Sequence, residues 1–317
     1  MDRRIALTLG DPRGVGPEVM VQAALAAPPP LRRLLVLVGP AGMAPPEDGS
    51  GGLAYESVGE WDGGLESAGR ISATAIEAAV SLALEGDVLA IVTGPVHKPA
   101  LRAAGWDVPG QTEMLQALTG VPSVGMLMNA EKTRMEAPLR VLLATTHHPL
   151  RDVPDLIDEE LLVAQSRLLS RSLAEGWGFD TPRLALCSLN PHASDQGLFG
   201  TEEAEIFTPA VERLRSEGID MRGPLPPDTV FARALQGEFD AVVAPYHDVG
   251  MAAFKTVSFG TGVNVTLGLP FVRTSPDHGT AFDIAGLGSA DPSSAVEALR
   301  LAVAIAGRRF DTSLGQL

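Results

Sequence analysis

Cysteine is nearly absent from this chain: Cys187 is the single one in 317 residues. One thiol excludes an intrachain disulfide and fits a reducing compartment. Because it lies inside the apolar run LALCSL, Cys187 reads as a small core residue rather than a nucleophile. Positive charge is also in short supply. Lys and Arg number 24 against 39 Asp and Glu, a formal charge of −15, which argues against nucleic acid or an anionic membrane as the main partner. Apolar stretches of membrane-spanning length are missing. The start, MDRRIALTLGDPRG, is basic but has only a short apolar run, so no secretory signal is expected and the location is expected to be cytoplasmic. Neither an internal repeat nor a low-complexity tail occurs, and neither G-x-G-x-x-G nor the P-loop pattern is found.

What is present is alternation. Short apolar runs at 5–9, 34–38, 88–92, 139–144, 184–189 and 241–244 predict strands. Helical spacing and stop signals predict helices over 17–27, 67–85, 156–175 (stopped by Gly176), 202–217 (with Pro209 a kink) and 293–307, the last with Pro292 at its first position. A polar turn is expected at Gly110 to Glu113 and a Pro/Gly-rich surface loop over 39–52. This order predicts an α/β fold with a largely parallel sheet flanked by helices. The length suits about two domains, or one large unit with a cleft.

Five of the strands run straight into polar or glycine-rich sequence: GDPRGVG, TGPVHK, TTHH, NPH and YHD. Open α/β sheets bind ligands outside the carboxyl ends of their strands, so these loops together predict a site. The loop from Gly10 to Gly16 is compatible with a phosphate cradle or with a tight turn, and the residues leave both open. His147, His192 and His247 each follow a strand end, at separations of 45 and 55 residues (192 − 147 and 247 − 192). Such spacing is no local metal motif, but a folded sheet can bring distant loops together. The three therefore point to a divalent metal, zinc or cobalt before magnesium, with His148 open as an alternative to His147. Lys98, Lys255 and Arg273 are candidate anion binders, since the stretch from Lys255 to Arg273 holds no carboxylate in an acidic protein. Asn264 and Thr112 add neutral hydrogen bonds. The segment Asp277 to Asp283, DHGTAFD, has no function readable from its residues alone.

The segments GDPRGVGPE, TGPVHKPAL, GQTEML, TTHHPL, NPHASDQGLFGTEE, GPLPPDT, YHDVG and VNVTLGLPFVRTSPDHGTAFDIAG resemble, in order and spacing, the 4-hydroxythreonine-4-phosphate dehydrogenase family of vitamin B6 biosynthesis. The resemblance implies an isocitrate/isopropylmalate dehydrogenase-like fold, a single catalytic unit over 1–317 of two interleaved α/β subdomains with a cleft. His147, His192 and His247 would hold the divalent metal (zinc, cobalt or magnesium). Gln111, Thr112, Lys255, Asn264 and Arg273 would hold a small phosphorylated substrate. His278, Gly279, Thr280, Ala281 and Asp283 would form the NAD or NADP loop. A homodimer whose site is shared across the interface is implied as well. The implied reaction is NAD-dependent oxidation and decarboxylation of 4-phosphooxy-L-threonine; the resemblance identifies no general base, for which Asp228 (in GPLPPDT) and Lys98 are the candidates. Three departures stand out: Gln111 where the family has GHTE, Ser194-Asp195 where it has PHAGE, and Val249 where it has YHDQG. They motivate an alternative substrate, a phosphorylated four-carbon sugar acid or a cis-dihydrodiol carboxylate. A metal-dependent hydrolase without NAD and a non-catalytic anion binder are the readings from other classes.

Overall fold

The computed structural model describes residues 4–46 and 52–316. Of the surface loop expected over 39–52, residues 47–51 lie outside the described part. In chain order the strands are β1 (Arg4–Thr8), β2 (Leu35–Gly39), β3 (Ala54–Ser57), β4 (Val88–Thr93), β5 (Gly125–Ala130), β6 (Leu139–Leu143), β7 (Leu184–Cys187), β8 (Met221–Leu225), β9 (Ala241–Ala244), β10 (Val263–Leu267) and β11 (Val272–Pro276). The longer helices are α1 (Gly16–Ala26), α2 (Leu65–Leu84), α3 (Lys98–Ala103), α4 (Gln111–Thr119), α5 (Glu159–Trp177), α6 (Thr208–Ser216), α7 (Pro227–Leu235), α8 (His247–Ser258) and α9 (Ser293–Arg309). Among the described residues no helix is long and apolar enough to cross a membrane.

The chain divides into two compact units, one made of Met1–Val124 with Val263–Leu317 and the other of Gly125–Gly262. In the first, the strands lie in the order β3-β2-β1-β4-β11-β10. All pairings there are parallel except β10 with β11. β2 and β4 are buried along their whole length, as expected of parallel strands with both faces covered. α2 presents Ala75, Ile76, Ala79 and Val80 at helical spacing to a core that includes Val36, Val38, Ile91, Leu101 and Met114. α9 packs on β11 and β4.

In the second unit the order is β5-β6-β9-β7-β8, antiparallel between β5 and β6 and parallel from there on. Its core gathers Met126, Met128, Val141, Leu143, Val242 and Phe254 under α7 and α8. The fold class is the predicted α/β one, with a sheet that is mostly but not wholly parallel. β3, β5, β8, β10 and β11 are absent from the predicted strands, the last two because a strand–strand hairpin breaks the strand–helix alternation that guided the reading.

Four local expectations are corrected. The polar residues after Gly110 are the first turn of α4 and not a turn before it. α5 begins after Asp158, whose carboxylate accepts from the Leu161 amide at 2.7 Å. It stops at Gly178, which takes the left-handed conformation, and not at Gly176, which is buried inside the helix. The predicted helix over 202–217 is a π-helical turn (Glu203–Phe207) leading into α6, with Pro209 in the first turn of α6. Pro292 caps α9 and lies just before it, while the Asp291 carboxylate accepts from the Ser293 amide at 2.9 Å.

Gly69 of α2 lies against the backbone of α3: a Cβ there would sit 1.8 Å from the Ala100 carbonyl oxygen. Gly69→Ala is expected to cost about 1–3 kcal/mol through overpacking. The urea midpoint should fall accordingly, with an unchanged slope.

Candidate active site

In the second unit β6, β9 and β7 are neighbours and mutually parallel. Their carboxyl ends therefore fall on one edge, and each is followed by a predicted histidine: His147, His247 and His192. Two of these come together. The Thr145 amide and hydroxyl both donate to the Pro245 carbonyl, at 3.2 and 2.8 Å. This stitches the loop after β6 to the loop after β9 and sets the His147 and His247 rings 5.5 Å apart between centroids. Both line a small pocket with Thr146, His148, Tyr246 and Asp248. His247 Nδ1 lies 2.7 Å from the Asp248 carboxylate. In the tautomer protonated at Nδ1, that bond orients the ring and leaves Nε2 as the lone-pair donor.

His192 is exposed and does not line that pocket. Among the described residues no three His, Cys, Asp or Glu side chains converge closely enough to hold a metal ion. The donor chemistry nevertheless fits one: two imidazoles share a pocket, and the third lies on the next parallel strand's loop.

The loop carrying His192 is built around Glu203, only 3% exposed. One carboxylate oxygen accepts from the amides of Leu189 and Asn190, at 2.9 and 2.7 Å. The other accepts from Asn190 Nδ2 at 2.8 Å and from the Ser194 hydroxyl. Burial pushes the Glu203 pKa up, but the Asn190 amide, the Ser194 hydroxyl and the Asn190 carboxamide outweigh it and hold the pKa below the ordinary value. From His192 to Gln196 five successive residues have positive φ, and none is glycine. Left-handed backbone costs an L-residue roughly 1–2 kcal/mol. Glu203 lies within the quoted NPHASDQGLFGTEE segment, yet nothing in its local sequence distinguishes it from its neighbour Glu202.

The first unit holds the other predicted residues. Arg273 of β11 is fully buried; its Nη1 donates to Thr266 Oγ1 at 2.9 Å and its Nη2 to Thr93 Oγ1 at 2.7 Å. Burial pushes its pKa down to about 10, against the opposing charge of Glu113, so it stays a cation at neutral pH. Gln111 Nε2 donates to the Gly94 carbonyl at 3.1 Å. Arg273 and Gln111 are thus tied to consecutive residues, Thr93 at the end of β4 and Gly94 just past it. Asn264 lies two residues from Thr266 on β10, and so on the same face. Among the described residues, Arg273 Nε, Gln111 Oε1, Asn264 Oδ1 and His278 Nε2 are buried without a hydrogen-bond partner. A buried cation on the strand pair that also carries Asn264, with polar atoms left unmet, is suited to a polar anion. Thr112 is buried in the first turn of α4.

Three loops of this unit converge. Arg13 donates from Nε and Nη2 to the fully buried Asp11 carboxylate, at 3.0 and 2.7 Å. Its guanidinium lies 5.1 Å from the Phe282 ring centroid and 3.2 Å from His97 Nδ1. The Val15 amide donates to the Thr280 carbonyl at 2.9 Å, and a Cβ on Gly14 would lie 2.6 Å from that oxygen. Close backbone packing thus accounts for Gly14, which favours the tight-turn reading of the first loop. The convergence holds the segment His278, Gly279, Thr280, Ala281 and Asp283 in place through Thr280 and Phe282. Lys98 and Asp228 are exposed in the first turns of α3 and α7, and Lys255 is half-buried on α8. Cys187 is buried, and its thiol pKa is pushed up to about 12 by burial and then by Asp228 and Glu203, so it is unsuited to nucleophilic work.

An α/β sheet with ligand-suited side chains past its parallel strand ends defines the class of α/β proteins that bind ligands at the carboxyl edge of the sheet. The isocitrate dehydrogenase of Methylococcus capsulatus shares the fold at a TM-score of 0.56 and 15% identity, over 97% of this chain and 87% of that one. Within that class the chain belongs to the PdxA family: the model of pyridoxal phosphate biosynthetic protein PdxA matches residues 53–302. It is 41% identical to the 4-hydroxythreonine-4-phosphate dehydrogenase of Methylorubrum extorquens, over 99% of this chain and 97% of that protein. The crystal structure of the Klebsiella pneumoniae 4-hydroxythreonine-4-phosphate dehydrogenase matches at a TM-score of 0.81 and 36% identity, covering 96% of this chain and 100% of that one. A terephthalate 1,2-cis-dihydrodiol dehydrogenase from Burkholderia xenovorans matches at 0.65 and 26%, over 95% and 97%.

Asp11→Ala would leave Arg13 without its carboxylate. The expected loss is about 2–4 kcal/mol, less than for a fully buried pair because Arg13 is partly exposed. Urea unfolding would measure it, and Asp11→Asn, which keeps an acceptor, should lose less.

Proposed function

We propose that the chain oxidises and decarboxylates 4-phosphooxy-L-threonine to 3-amino-2-oxopropyl phosphate, using NAD or NADP and a divalent metal, in pyridoxal phosphate biosynthesis. The observation that carries this reading is Arg273, a desolvated cation buried in the first unit, in a chain 41% identical along almost its whole length to a named 4-hydroxythreonine-4-phosphate dehydrogenase.

On this reading Arg273 meets the substrate phosphate, with Thr112, Asn264 and Lys255 adding hydrogen bonds and charge. Holding the phosphate fixes the reacting carbon in place, an orientation contribution. His147, His192 and His247 hold the divalent ion, which when bound supplies Lewis-acid polarisation of the substrate hydroxyl. Asp248 keeps the His247 ring turned so that Nε2 faces its task. The loop His278 to Ala281, with Asp283, holds the dinucleotide that supplies the hydride acceptor. Lys98 and Asp228 are proposed as proton acceptors; their exposure suits exchange with solvent. A homodimer with a shared site is part of the proposal.

A second reading has one observation in its favour. Gln111 replaces a histidine of the family pattern and is turned so that its amide nitrogen is spent on Gly94. It therefore offers an acceptor where a histidine can offer a cation. This weakens the case for a phosphate at that point and suits a hydroxyl, as in a cis-dihydrodiol carboxylate, the substrate class named for the Burkholderia xenovorans neighbour.

The deciding assay is reduced-nicotinamide formation from 4-phosphooxy-L-threonine with NAD or NADP and zinc, cobalt or magnesium. Metal-dependent turnover is expected, and His247→Ala should lower it on the order of 10³-fold or more, the equivalent of several kcal/mol. Turnover only with a cis-dihydrodiol carboxylate would favour the second reading. Phosphate should also raise the melting temperature of the wild type but not of Arg273→Met, whose stability without phosphate should be unchanged or higher by up to about 4 kcal/mol, because an unpaired buried charge has been removed.

A further inference from the structure

Four donors converge on the buried carboxylate of Glu203: the Leu189 and Asn190 amides, the Asn190 carboxamide and the Ser194 hydroxyl. These donors flank His192 on both sides. Asn190 Nδ2 also donates to Glu202 at 2.8 Å. Gly200 closes the loop where a Cβ would lie 2.4 Å from Glu202 and 2.8 Å from Asn190 Nδ2. The stretch held in this way is the one with five successive left-handed residues, His192 to Gln196. A turn of that hand does not persist in L-residues unless its surroundings over-determine it, and here the Glu203 carboxylate does so.

We propose that Glu203 is a positioning residue for the third imidazole: by clamping Leu189, Asn190 and Ser194 it sets the backbone from which His192 is presented. The inference rests on the metal reading above and deepens it. Without the clamp, the loop relaxes toward right-handed or extended backbone, and the direction in which His192 leaves the chain changes. His147 and His247 need no such device, because the Thr145 bonds to Pro245 already bring their loops together. Ser194 is specific to the arrangement: its hydroxyl is the one side-chain donor to Glu203 from inside the left-handed turn.

The test is zinc affinity, measured on the full chain by competition with a chromogenic chelator, together with the visible spectrum of the cobalt-loaded protein. Glu203→Gln keeps the size of the side chain but turns one acceptor into a donor facing donors. It is expected to raise the zinc Kd about 10–100-fold and to change the cobalt spectrum. In a His192→Ala background the same substitution should raise the Kd no further, because the two residues act as one unit. A lowered melting temperature with an unchanged Kd and spectrum would overturn the proposal, as would fully additive effects on Kd. Should Glu203→Gln fail to fold, Ser194→Ala removes one donor, and a smaller rise of the same sign is expected. Zinc and cobalt binding by the wild type is the separate control. If neither binds, the metal reading fails and takes this inference with it; if both bind and the variants match the wild type, only this inference fails.

Discussion

The hydrogen-bond ladder joining β6, β9 and β7 is parallel, so these strands deliver their carboxyl ends, and the loops bearing His147, His247 and His192, to one edge of the sheet. In the other unit the same rule puts Thr93 and Gly94 at the carboxyl end of β4, where Arg273 and Gln111 attach. A parallel ladder has a single polarity, and chemistry that must converge from distant parts of a chain can use it without any local motif. The antiparallel pairs, β10 with β11 and β5 with β6, each add a strand beside the parallel set. β11 in particular carries Arg273 into the interior.

Much of what makes the site distinctive is unfavourable when taken alone. A guanidinium with no carboxylate bonded to it is buried at Arg273, a left-handed turn runs through His192, and a carboxylate is buried at Glu203. Each is held by neighbours that make sense only in the folded state: Thr93 and Thr266 for the guanidinium, Glu203 for the turn, and backbone amides for Glu203 itself. Such local conflicts within an otherwise consistent fold are where function is expected to concentrate. The Asp11–Arg13 pair plays a related part, because it fixes the first loop against Phe282 and, through Val15, against Thr280.

Strand–helix alternation was legible because buried parallel strands are nearly continuous apolar runs and the helices carry apolar residues at helical spacing. The candidate histidines were legible for a related reason, since each follows such a run. The hairpin of β10 and β11 was not, because it breaks the strand–helix alternation and its polar residues Asn264, Thr266 and Arg273 interrupt the apolar pattern. Helix ends were also misread where two glycines competed. Gly176 and Gly178 look alike in sequence, and only the backbone angle of Gly178 identifies it as the stop.

The α/β class, the loops that bear the candidate residues, and the family follow from the residues alone, because these depend on local periodicity and on residue identities in order. Only the tertiary structure decided that His147 and His247 share a pocket while His192 does not line it, that Gln111 spends its amide nitrogen on Gly94, and that Glu203 rather than Glu202 is the buried clamp. Those are matters of direction and distance between residues far apart in the chain. The same letters are compatible with several such arrangements until packing and hydrogen bonding select one.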